Sequence, residues 1–139
     1  MRQRFLLSSL GIPLALMSYL GMAVTPAQHT TGFRRADVCS ILSDPKFFLN
    51  KEISLRGSVF VGRDGANIRD KRCPGQGLDL SVETARYRQA DIVSFFHKVS
   101  GFGGHGTATI VGEFVATNSP FTPYSLSIHK VSNVTRSTN

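Results

Sequence analysis

The chain has 139 residues, 41% of them apolar, and its 16 Lys and Arg against 9 Asp and Glu give a formal charge of +7. That length admits one domain and excludes a multidomain architecture, and the sequence contains neither an internal repeat nor a low-complexity run. The positive surplus favours anionic partners, although basic residues spread this widely serve solubility equally well; the tightest group is Arg69, Lys71 and Arg72.

Residues 1–27 read as an export signal. Arg2 and Arg4 supply a positive start, Phe5 to Val24 carries no charge, and Thr25 and Ala27 put small residues just before a cut at Gln28. A periplasmic or secreted domain is the expectation. The alternative is an uncleaved anchor formed by residues 5–24, with a membrane-associated partner, because a run of that length can span a bilayer. Ser8, Ser9, Pro13, Ser18 and Tyr19 dilute the run and favour cleavage, and the absence of cysteine excludes a lipid-modified one. Cutting 27 of 139 residues leaves 112, with 14 basic against 9 acidic groups.

Residues 28–35 are expected to be loose, and residues 36–134 to form the domain. Ala36, Val38, Cys39 and Leu42 share one helical face, and Asp44 with Pro45 ends that short helix. From Glu52 to Val61, inward Ile53, Leu55, Val59 and Val61 alternate with Ser54, Arg56, Ser58 and Phe60, the period of a strand with one buried face. Gly57 falls on the inward register and predicts a bulge or sharp bend. Asp-Gly chemistry in Gly62 to Asn67 predicts a hairpin into a short strand around Asn67 to Asp70, followed by a loop from Lys71 to Gly75. Leu78, Leu80 and Val82 mark a third strand.

Ala85, Gln89, Ile92, Val93, Phe96 and Val99 recur at helical spacing and predict an amphipathic helix of about three turns ending at Gly101. Alternation returns with Ala108, Ile110, Gly112, Phe114 and Ala116 inward. A turn at Asn118 to Pro123 leads to a last strand with Tyr124, Leu126 and Ile128 on one face and Ser125, Ser127 and His129 on the other. Residues 135–139 are expected to fray.

Cys39 and Cys73 are the two cysteines. In an oxidising compartment an even pair in a small domain reads as a structural disulfide, worth about 3–4 kcal/mol for a loop of this size. A redox pair or metal ligands fit poorly, since the chain has no CxxC and no Cys/His cluster at zinc spacing.

The element order is three strands, a helix and two strands after a short helix. In this respect the stretch EISLRGSVF, the glycine hairpin, the helix and GTATIVGEF resemble OB-fold domains, in particular small exported bacterial OB-like proteins of unassigned function. The resemblance spans roughly Ala36 to Val134. It implies a mainly β domain, a five-stranded Greek-key barrel with the helix between strands 3 and 4. A β-sandwich is the alternative. OB domains bind nucleic acids, sugars and proteins, so the resemblance does not choose a ligand.

Gly101 to Gly106 matches GxGxxG letter for letter, but it follows a helix and precedes a strand, the reverse of a dinucleotide site; a flexible connection is the expectation. Of His29, His97, His105 and His129, a pairing of His97 with His105 is conceivable, without an evident third ligand. No GxSxG and no spaced carboxylate pair is present, so the expectation is non-catalytic, with no cofactor and no metal. A small hydrolase using His97 or His105 is the outlying alternative, and it would need a carboxylate within reach of the imidazole.

What remains is a binding face. OB-domain ligands lie across the second and third strands and the adjoining loops. On this chain those places hold Arg63, Arg69, Lys71 and Arg72, and Phe121 and Tyr124. The resulting expectation is an exported, monomeric binding or interaction domain whose partner is a protein or an anionic envelope component. Single-stranded nucleic acid or an oligosaccharide is the alternative; export argues against nucleic acid. Solvated arginines and barrel-capping aromatics would explain the same residues without any ligand.

Overall fold

Residues 33–100 and 104–137 are described by the structure, a computed structural model. The export-signal or anchor reading of residues 1–27 lies outside them, as do His29, residues 28–32 and Gly101 to Gly103. In chain order the elements are β1 (Arg34–Ala36), α1 (Val38–Ser43), α2 (Pro45–Phe48), β2 (Glu52–Gly62), β3 (Gly65–Arg69), β4 (Gly77–Ser81), a short 3-10 turn (Thr84–Arg86), α3 (Ala90–Val99), β5 (Gly104–Ala116) and β6 (Tyr124–Arg136). Among the described residues no helix is long and apolar enough to cross a membrane.

The molecule is mainly β, built on one six-stranded sheet in the order β1-β2-β3-β4-β6-β5, and β5 pairs back onto β2 so that the sheet closes in a ring. A single sheet sets aside the two-sheet sandwich. β4 runs parallel to β6 and β1 parallel to β2; the other pairings are antiparallel. Six strands replace the expected five because Arg34 and Arg35, assigned to a loose segment, pair with Ile53 and Ser54. The exposed ring of Phe47 on α2 lies between two cations, Arg34 at 4.9 Å and Lys51 at 4.0 Å, a cation–π arrangement that ties this entry to the domain.

Asp44 terminates α1 and also begins α2. Its backbone N–H bonds to the Ser40 carbonyl, while its carboxylate accepts from Phe47 N–H with Pro45 in the first helical position. The PKFF segment is therefore helical and buries Phe48.

β2 carries the inward set Ile53, Leu55 and Val59, all essentially buried. No bulge interrupts its pairing with β5 at Gly57, which sits opposite Ala108. The glycine marks a close approach: an added Cβ would lie 2.6 Å from the Arg69 carbonyl and 2.8 Å from Ile68 Cγ1. On that edge β2 leaves β1 after Leu55 and takes up β3 from Ser58. The register shifts lie instead between β5 and β6. Thr107 faces Thr135 and Thr109 faces Ser132; Val111 faces Lys130 and Gly112 faces Ile128. At both places β6 carries one extra residue, which bends the strand and increases its twist, as ring closure requires. A Cβ on Gly112 would run into the Ser127 carbonyl. β6 extends to Arg136, so Thr135 and Arg136, expected to fray, are held by Thr107 and Gly106.

α3 closes one opening of the ring with Ile92, Phe95 and Val99 buried. Ala85 lies before it in the 3-10 turn and Val93 is 39% exposed, so the expected stripe is rotated toward Phe95. The rotation follows from an anchor: Asp91 Oδ2 accepts the buried Val131 N–H at 2.8 Å, between the two register shifts of β6. Asp91→Ala is expected to lower the unfolding free energy by about 1–3 kcal/mol, the cost of orphaning a buried amide. Urea unfolding measures it, and a loss of only a few tenths would mean that water replaces the carboxylate.

Candidate functional site

The outward register of the sheet assembles a row that runs across four strands. Asp79 on β4 faces Asn67 on β3, Asn67 faces Phe60 on β2, and Phe60 faces His105 on β5. Successive strands lie about 4.8 Å apart, so side chains in such a row touch their neighbours. Phe60 and His105 stack with centroids 6.0 Å apart and planes 18° apart. Arg69 lies 4.8 Å above the Phe60 ring, and its Nε donates to Asn67 Oδ1 at 3.1 Å.

The result is a guanidinium, a phenyl and an imidazole in sequence, with the guanidinium steered by an amide. Phe60, on the outward register near the end of β2, remains 37% exposed. A cleft of about 450 Å³ opens beside it, lined by Phe60, Asn67, Asp79, Arg63 and Asp64 among others. Arg63 stands in the hairpin turn at its rim.

The other expected residues are distributed elsewhere. Arg72 is committed to an ion-pair cluster: Nη2 donates to Asp70 Oδ2 at 2.6 Å and lies 3.6 Å from Asp37 Oδ2. The side chain and backbone N–H of Arg72 hold the Asp70 carboxyl down to about 2, and Asp70 in turn raises the Arg72 guanidinium. Asp37 is lowered chiefly by the backbone N–H and the hydroxyl of Ser40. Asp37, Cys39 and Asp70 converge closely enough to suggest metal ligands. Cys39 is however bonded to Cys73, with Cα atoms 5.6 Å apart, and Arg72 faces both carboxylates. The arrangement is a covalent and ionic staple joining α1 to the β3–β4 loop. Lys71 is exposed in that loop.

Phe121 and Tyr124 line a separate hollow of about 120 Å³ with Leu42, Leu78 and Asp79. Tyr124 stacks on buried Phe114 at 5.2 Å and so belongs to the packing, whereas Phe121 is 91% exposed. His97 lies on the exposed side of α3, at a groove of about 720 Å³ between that helix and the β2–β3 hairpin. Gly104 to Gly106, expected as a flexible connection, are the first residues of β5. His129 Nδ1 pairs with Glu52 Oε1 at 2.9 Å.

Sequence reasoning named Arg69, Arg63 and His105 but missed Phe60, Asn67 and Asp79. The signal for Phe60 was present: it is the one large apolar residue on the polar register of its strand. Known families offer no further guide, since no family model matches the chain and no curated protein is matched by it.

Proposed function

We propose that the chain is an exported, non-catalytic binding domain of the OB type, engaging an anionic component or protein of the cell envelope through the Phe60 face. The observation that carries this reading is the Arg69–Phe60–His105 stack beside a cleft. An exposed aromatic flanked by a fixed guanidinium gives a ligand apolar area and a charge partner at once, with little side-chain entropy left to lose. The closure of β2, β3, β4, β6 and β5, with β4 parallel to β6, supports the OB assignment. Asn67 and Asp79 beside the ring favour one second reading, an oligosaccharide or single strand stacked on Phe60.

The test is capture from solubilised envelope extract by the immobilised protein, comparing wild type with Phe60→Ala and Arg69→Ala. Each variant is expected to weaken retention about tenfold or more. No capture above background by the wild type, or equal capture by both variants, overturns the proposal. Binding to single-stranded oligomers that falls steeply with salt would favour the second reading.

A further inference from the structure

Four residues before Phe60 on the same face of β2, about 13 Å along the strand, the outer surface holds a different kind of cleft. It measures about 410 Å³, and its lining includes Arg35, Asp37, Arg56, Arg72, Thr109 and Asn133. Three arginines and one aspartate are among its lining residues. Arg35 comes from β1 and Arg56 from β2, and neither has an ion-pair partner among the described residues. Arg72 is held by Asp70 through Nε and Nη2, with Nη2 also 3.6 Å from Asp37 on the cleft wall, so Nη1 takes no part in those contacts.

The opposite wall is shaped by backbone rather than charge. Asn133 adopts φ 50°, a left-handed conformation, within the stretch where β6 carries its extra residue. Its Nδ2 lies 3.5 Å from Thr109 Oγ1, across from Arg56 in the sheet register. Arginines, a threonine hydroxyl and an amide lining one concavity suit the acceptor-rich, doubly charged surface of a phosphate group.

We infer that this cleft is a phosphate-binding site, taking the free ion or a phosphate monoester, with Arg35 and Arg56 as principal donors and Arg72 as a fixed third. The site is separate from the Phe60 face and does not rest on the role proposed for that face. A bound dianion would span β1 and β2 and thereby lock the N-terminal edge strand to the ring.

Isothermal titration of the protein with inorganic phosphate, and in parallel with glycerol 3-phosphate, tests this against a chloride background of equal ionic strength. Wild type is expected to bind one equivalent, and Arg56→Gln and Arg35→Gln are each expected to weaken it about tenfold or more. Arg88→Gln, at an exposed arginine in the turn before α3, is expected to bind phosphate as wild type does. Tighter binding of the monoester identifies an esterified ligand; equal binding identifies the free ion. A phosphate-dependent rise in Tm that disappears in Arg56→Gln serves as a second readout. Absence of phosphate binding by the wild type, or wild-type affinity in both arginine variants, overturns the inference.

Discussion

Replacing both cysteines, as Cys39→Ser with Cys73→Ser, is expected to lower the unfolding free energy by about 3–4 kcal/mol. The bridge spans 34 positions of sequence, and closing a loop of that size removes a corresponding entropy from the unfolded chain. Native stability of a small domain is about 5–15 kcal/mol, so the loss is a large share of the total. It should appear as a drop in Tm on the order of 15 °C. Reductant should produce the same drop in wild type and none in the double variant. The bridge also fixes α1 against the β3–β4 loop, where Arg72, Asp70 and Asp37 meet. A change under about 1 kcal/mol would show that this ionic cluster holds the two segments without the covalent bond.

The second large effect separates two neighbouring phenylalanines. Phe95 is fully buried beneath α3, whereas Phe96 lies at the edge of the groove beside that helix, and their rings meet edge-on at 4.9 Å. Phe95→Ala should therefore cost about 3–5 kcal/mol, the range for deleting a core aromatic. Phe96→Ala should cost less than half as much. Equal or reversed losses in chemical denaturation would mean that α3 presents the face its sequence periodicity predicts rather than the one bearing Phe95.

That periodicity explains where the fold was legible and where it was not. The inward sets of β2, β5 and β6 were readable because their apolar residues alternate along the chain, as Ile53, Leu55, Ile110, Phe114, Leu126 and Ile128 do, although Val111, Ser125 and Ser127 on the opposite register are buried as well. Cys39 and Cys73 were readable as a pair because nothing else in the chain competes for them. α3 was misread by one position, since Val93 and Phe96 fit a helical stripe as well as Phe95 does. What decides between the two stripes is the bond from Val131 to Asp91, a contact 40 positions apart that no local pattern encodes.

β1 and the end of β6 were invisible for a related reason. Arg34, Arg35, Thr135 and Arg136 are polar residues recruited by the edges of longer strands, and polarity alone reads as a loose terminus. The candidate face was half legible: its cations were named, but sequence neighbours such as Arg69, Lys71 and Arg72 are not spatial equivalents. Arg69 turns to Phe60, Arg72 turns to Asp70, and only the sheet register brings His105, Phe60 and Asn67 into one row.

Amide shift mapping with any component that the immobilised protein retains from envelope extract tests the binding role proposed for that row most directly. The predicted result is a contiguous set of perturbed amides at Phe60, Asn67, Arg69, Asp79 and His105, abolished in Phe60→Ala. Perturbations confined to α3 and the groove beside it, unchanged in Phe60→Ala, would contradict it.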